Sequence, residues 1–333
     1  MNYSFKVYID NGREHFRWQS DTDFVATSGT AKKDFKLSQS LLDLLYLDVD
    51  PLYNLTKHMG DEIRKLYDKD GEKNIAFLRD SFDRLAETHL YFEFLRLDWS
   101  DRLDKYVKGE MSNPAKAMHY KEITHIPSNI TTWQNQIKNI FTKVLDVLSP
   151  DKPIQAKMSE LYENRDFEGL LLFDFQPLST TFERSDSNTF TEVLNPRNIG
   201  DIVDYFLRNI ISRDMTFKVC KSCGKYFPAS ASHGNSEYCN RIFYGLAADG
   251  SKTLDTGKTC KEIGSVKVYQ AKVAENPEYA AYSRAYKTHF ARIKAKKLTK
   301  EYFQIWAEEA RKLRDEVTAG ALSLEEYKNW LKR

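Results

Sequence analysis

Cys220, Cys223, Cys239 and Cys260 are the only cysteines in 333 residues, and they follow one another as C-x2-C-x15-C-x20-C. The thiolate is a soft, charged donor, and two thiolates two residues apart can grip one ion where the chain turns tightly. In CKSCGKYF (220–227), Gly224 permits that turn, and Phe227 starts a return strand. Cys239 falls at the end of a hairpin, and Cys260 opens a helix whose N-terminal dipole favours a negative sulfur. In a reducing compartment such a cluster reads as a ligand set before it reads as two disulfides. Four thiolates fill a tetrahedral site and leave no position for water, so the expected cofactor is a structural Zn2+. Unligated or redox-active thiols are the alternative. Lys221, Lys225, Arg241 and Lys261 lie beside the ligands and would be oriented by the ion.

Other residue types capable of chemistry are sparser. His233 and Asn235 sit between the second and third cysteines, where a nuclease of the HNH kind would place its catalytic pair, but no second histidine follows at helical spacing. His119 and His125 flank Glu122 without forming H-E-x-x-H, and Pro127 interrupts any helix that would align them. Asp98, Asp101 and Asp104 read as the exposed side of a helix start. No G-x-S-x-G, G-x-x-x-x-G-K-[ST] or G-x-G-x-x-G is present, which removes the common hydrolase and phosphate-loop routes.

The elements that must position the cysteines follow from periodicity. YSFKVYID and REHFRWQS alternate around Asn11-Gly12, a type I′ hairpin signal. From about Ser38 to Ser149 apolar residues recur at helical spacing, as in Phe77, Leu78, Phe82 and Leu85. GLLLFDFQP, STTFERS and SNTFTEV read as short strands, and Asn195-Pro196 opens an amphipathic helix that delivers the chain to Cys220. After Cys260, Asn276-Pro277, Thr299 and the capping box Ser323-x-x-Glu326 start three further helices. On the first of these, Tyr279, Tyr282, Tyr286, Phe290 and Ile293 form a stripe whose tyrosines belong to a core.

The expected fold is mainly α with small β hairpins, an α+β chain in three parts. Residues 1–194 form an acidic, mostly helical body, 195–265 a connecting helix and a treble-clef-like four-cysteine unit, and 266–333 a basic helical hairpin. The net charge of +2 conceals a division: residues 216–333 hold 22 Lys and Arg against 13 Asp and Glu, and the rest 28 against 35. MNYSFKVYID lacks the pattern of a signal peptide, and the longest apolar run, LLLF, is far short of a membrane span, which predicts a cytoplasmic location and no membrane. Arg284, Lys287, Arg292, Lys294, Lys296 and Lys297 would supply a phosphate-contacting surface, with Lys221, Lys225, Arg241 and Lys261 beside the cysteines as further nucleic-acid contacts.

CKSCGKYF, YCNR (238–241), GKTCKEIGS (257–265), NPEYAAYSRAYKTHFARI and the Phe303…Trp306 helix together resemble the C-terminal half of a bacterial family known as domain of unknown function 6076, over about residues 195–333. The knuckle is also similar, more loosely, to CGNR-type zinc fingers, a resemblance that implies DNA binding. The Cys-Gly-Asn-Arg itself is missing, and the Gly/Asp-rich stretch GLAADGSKTLDTGK separates the last two ligands. The expected function is non-enzymatic binding of nucleic acid, with duplex DNA the first candidate. A protein adaptor and a metal-dependent nuclease are the alternatives.

Overall fold

The computed structural model describes residues 2–21, 30–68, 74–146, 152–164, 171–229, 236–246 and 252–332. They form two compact units, Met1–Lys218 with Tyr226–Gly234, and Val219–Lys225 with Asn235–Arg333. The chain is α+β, as its sequence predicts. Among the described residues no helix is long and apolar enough to cross a membrane.

In the first unit β1 (Tyr3–Asp10) and β2 (Arg13–Ser20) pair antiparallel, Val7 opposite Phe16. Asn11 and Gly12 both take positive φ, 49° and 70°, as a type I′ turn requires. The strands expected from STTFERS and SNTFTEV are β4 (Thr180–Arg184) and β5 (Phe190–Leu194), and they pair with each other as a second hairpin. The two hairpins join through Val7–Leu194 and Tyr8–Val193, and β3 (Ala31–Lys36), which alternation does not reveal, completes a sheet of order β3-β2-β1-β5-β4.

Helices α1 (Gln39–Leu45), α2 (Asp50–Tyr67), α3 (Ile75–Thr88), α4 (Tyr91–Val107), α5 (Pro114–Ala117), α6 (Tyr120–Thr124) and α7 (Ile126–Lys143) follow the predicted periodicity, and α8 (Ile154–Glu163) lies beyond the span it marks. Their buried stripes, such as Leu78, Phe82 and Leu85, share one core with Phe5, Val7, Ile9 and Phe16. Pro51 and Pro127 stand in the first turns of α2 and α7, where a missing N–H is harmless.

Three expectations need correction here. The described part of GLLLFDFQP is no strand: residues 171–179 carry no regular structure, and Gly169 and Leu170 lie outside the described residues. Its carbonyls are taken by side chains instead, Leu172 by Gln136 (2.8 Å), Phe173 by Tyr162 (2.6 Å) and Pro177 by Arg197 (2.7 Å), so no partner strand is needed. The next helix, α9 (Ile199–Ser212), starts later than Asn195-Pro196, because Asn198 accepts from the Asp201 N–H at 3.0 Å and caps it there. Asp101 and Asp104 are only 1% and 2% exposed, not the solvent side of α4. Asp101 accepts from the Asn2 N–H at 3.2 Å and Lys105 at 2.6 Å, and Asp98 accepts from the Tyr3 hydroxyl at 3.0 Å, which ties the start of β1 to α4.

The two-stranded sheet of β6 (Phe217–Val219) and β7 (Tyr226–Pro228) flanks the first two cysteines in sequence. The second unit continues with β8 (Ile242–Leu246), β9 (Lys252–Thr259), α10 (Cys260–Glu275), α11 (Pro277–Lys294), α12 (Lys300–Thr318) and α13 (Leu324–Trp330). The helical hairpin and the short third helix have the predicted starts: Thr299 accepts from the Tyr302 N–H at 3.2 Å, and Ser323 with Glu326 forms the capping box. Tyr282, Phe303, Trp306, Ala310, Tyr327 and Leu331 are its core. Tyr286 and Phe290 leave the predicted stripe, 37% and 45% exposed.

One buried group gives the first unit a pH dependence. Glu14 is wholly buried, and its Oε2 accepts from the Ser40 N–H at 3.0 Å, capping α1, which has no cap side chain of its own. Burial pushes its carboxyl from 4.5 up to about 8, against the hydrogen bonds from Ser40. Between those values the folded state keeps a proton that the unfolded chain has lost, so stability falls as pH rises. Burial draws His89 from 6.5 down to about 4, which costs stability as pH falls through that lower range. Above 6.5 Glu14 is therefore unopposed by His89. We predict that the wild-type protein loses on the order of 2 kcal/mol between pH 6.5 and 8. In Glu14→Gln that loss should largely vanish. Thermal melts at both pH values check this, and parallel curves for the two proteins would refute it.

Candidate metal centre

The turn between β6 and β7 holds Cys220 and Cys223. Gly224 has φ +68°, with its N–H donating to the Cys220 carbonyl at 2.8 Å, and the Cys220 N–H donates to the Lys225 carbonyl at 3.0 Å. This wraps the chain around the two sulfurs and leaves backbone N–H groups facing them. The third ligand is tied to the same turn: the Lys221 N–H donates to the Glu237 carbonyl at 3.0 Å, and the Cys239 N–H to the Cys220 sulfur at 3.4 Å.

Twenty residues separate Cys239 from Cys260, yet the fold removes the distance. The stretch between them is an antiparallel hairpin, β8 against β9, in which Ile242 faces Thr259. The Cys260 N–H closes it on the Arg241 carbonyl at 2.9 Å. The Gly/Asp-rich stretch that sets this sequence apart from a compact finger is thus an excursion that returns to its origin. Cys260 is then the first residue of α10, as expected, with Glu262 accepting from the Thr259 N–H at 2.7 Å.

Gly264, which the sequence alone does not single out, seats this helix. A Cβ there would lie 2.4 and 2.8 Å from the Tyr238 ring and 3.0 Å from Ser222 Cβ, so the backbone of α10 rests directly on the ligand loop.

The four sulfurs lie within 4.8 Å of one another, and those of Cys223 and Cys239 are 3.7 Å apart. Donors about 2.3 Å from a tetrahedral ion would stand about 3.8 Å from each other. Cys220, Cys239 and Cys260 are 1–3% exposed and Cys223 is half-buried, and all four are free of disulfides. Burial raises Cys220, but N–H groups from Cys239, Cys223 and Ser222 outweigh it and bring the thiol down to about 7. Burial, with the neighbouring sulfurs of Cys239 and Cys223, pushes Cys260 far up. The Cys220 sulfur is ready to ionise while those of Cys223 and Cys260 resist, the condition that a bound cation reverses. The cluster can hold a metal ion.

The basic residues named from sequence are spread over the second unit. Lys221 is exposed and paired with Glu237, Lys225 and Arg241 are half-buried, and Lys261 is exposed. Arg284, Lys287, Arg292, Lys294, Lys296 and Lys297 are all exposed on α11 or just beyond it. Lys294 Nζ stands 5.4 Å from the centre of the Phe290 ring. Of the other histidines, His119 and His125 are exposed at the ends of α6, and Glu122 between them bonds Trp99 Nε1 at 3.2 Å and Arg102 at 3.0 Å. His233 and Asn235 lie outside the described residues.

No curated protein and no solved structure matches the chain. Residues 178–331, from just ahead of β4 to the end of α13, match the model of a family of unknown function, DUF6076, and so include every cysteine of the candidate centre.

Proposed function

We propose that the chain is a zinc-stabilised, non-enzymatic protein that binds duplex DNA through its second unit. The observation that carries this reading is one of charge. Arg284, Lys287, Arg292, Lys294, Lys296 and Lys297 are exposed within a single turn-and-helix stretch, and no acidic residue occurs between Glu278 and Glu301. Such a field attracts a polyanion and holds it by displacing its counterions. Four buried sulfurs select a soft ion with tetrahedral preference, for which Zn2+ is the common occupant, and a closed shell gives it a structural role. A protein partner is the second reading, favoured by Tyr302 and Ile305, 48% and 66% exposed on α12.

Two measurements test these statements. The purified protein should carry about one zinc per chain, and Cys239→Ser should lose the metal to a chelator that leaves the wild type loaded. Metal-free material whose fold is unchanged when all four cysteines become serine would end the zinc reading. Duplex DNA should bind with a log–log salt slope of about −3 to −6, and Lys294→Ala with Lys297→Ala should make that slope shallower by about 2. Absence of binding at low salt would leave the protein-partner reading in its place.

A further inference from the structure

The second unit contains a cavity of about 890 Å³ among α10, α11 and α12, apart from the cysteine cluster. It exists because Ser283 and Ala307, two small side chains, line it where the helices face each other. Its aromatic wall is Tyr269, Tyr282, Tyr286 and Phe303, and its charged wall is Lys287, Arg311 and Arg314, against the single acid Glu308.

A gap left by imperfect packing would be apolar and ringed by aliphatic groups. This one gathers three cations that Glu308 and Asp315 offset only in part, so its field favours an anion. Arg314 is fixed in place, 4.2 Å from the Tyr279 ring centre and 5.5 Å from that of Tyr282, with Asp315 bonded to it at 2.6 Å. Arg311 donates through Nε to the Ala307 carbonyl at 3.0 Å. The aromatic side is equally particular. Tyr286 meets Phe303 edge to face at 4.9 Å and remains 37% exposed, an aromatic ring with surface to offer. The volume lies within the range of small-molecule sites, about 300–1,000 Å³.

We propose that this cavity binds a nucleotide, its base against Tyr286 and Phe303 and its phosphate held by Lys287 and Arg311. Base stacking asks for aromatic faces and tolerates any base, and guanidinium groups match phosphate oxygens in pairs. The ligand chemistry is shared by free mononucleotides and by an unpaired residue of a single strand. The site does not depend on duplex binding, which rests on exposed cations, so either reading can fail while the other stands.

The test uses the full-length, metal-loaded chain. AMP, GMP, CMP and UMP, a thymidine oligonucleotide and inorganic phosphate are titrated separately, by calorimetry and by the fluorescence of Trp306, which stacks on Tyr282 at 6.4 Å. Saturable binding of mononucleotides, at least about tenfold tighter than phosphate, identifies a free ligand, and binding of the oligonucleotide alone identifies a strand. Both support the proposal. Tyr286→Ala and Arg311→Glu, each at an exposed position, should weaken the tighter ligand about tenfold or more while melting temperature and metal content stay at the wild-type value. No binding of any base-bearing probe, or binding indifferent to both substitutions, overturns it.

Discussion

Four sulfurs within 4.8 Å of one another cannot all carry charge unless a cation stands among them, and much of the second unit is arranged to bring them together nonetheless. The ligand turn closes on its own backbone, the segment of Glu237 is bonded across to it, and β8 and β9 fold twenty intervening residues into a loop that returns to Cys260. Thiols brought so close without an ion would gain nothing beyond the packing of small apolar groups. Convergence of this kind, with N–H groups aimed at the sulfurs, is what a metal site requires of its chain before the ion contributes any binding energy.

The sequence was informative where the physics is local. Asn11-Gly12 sets a turn by its own φ preferences, and the caps at Thr299 and Ser323 satisfy N–H groups three residues away, so both could be read directly. The cysteine set was legible for a related reason, since four residues of one rare type in one window leave few alternatives. The failures come from partners distant in the chain. Nothing near Val7 says that Leu194 will pair with it, and nothing near residues 171–179 says that Gln136, Tyr162 and Arg197 will take their carbonyls in place of a strand. Asp101 and Asp104 look like a solvated helix face until Asn2 and Lys105 are seen around the first of them. Gly264 carries no mark in sequence either, because its requirement is set by a Tyr238 ring lying where a side chain would go.

The cavity was missed for the same reason. Tyr286 fits a helical stripe, and a stripe is read as core, yet burial is decided by the helix that packs opposite. On α12 Phe303 meets Tyr286 only edge to face, and the small Ala307 in the same cavity wall adds little cover, so Tyr286 stays 37% exposed. The basic residues divide accordingly: Lys287 lines the cavity, whereas Arg284 and Arg292 line a separate groove with Lys328 of α13. Counting charge along α11 recovers the total field and not this partition.

Helix α10 links the two features of the second unit. Its buried residues are Cys260 and Gly264 alone, both in its first two turns and both at the ligand loop, while Val266 is 55% exposed. A helix with so little apolar burial draws little position from a hydrophobic core, and Gly264 lowers its intrinsic helicity by about 1 kcal/mol relative to alanine. Its placement rests on its first two turns, where the Cys260 N–H meets the Arg241 carbonyl at 2.9 Å and Gly264 lies against Tyr238 and Ser222. Tyr269, further along the same helix, walls the cavity and packs on Tyr279 at 6.4 Å. An ion that fixes Cys260 thus also fixes one wall of the cavity, and a ligand that fills the cavity steadies the helix carrying the fourth sulfur. By linkage, whatever an ion at Cys260 does to ligand affinity at the cavity, a ligand there does in equal measure to the ion's.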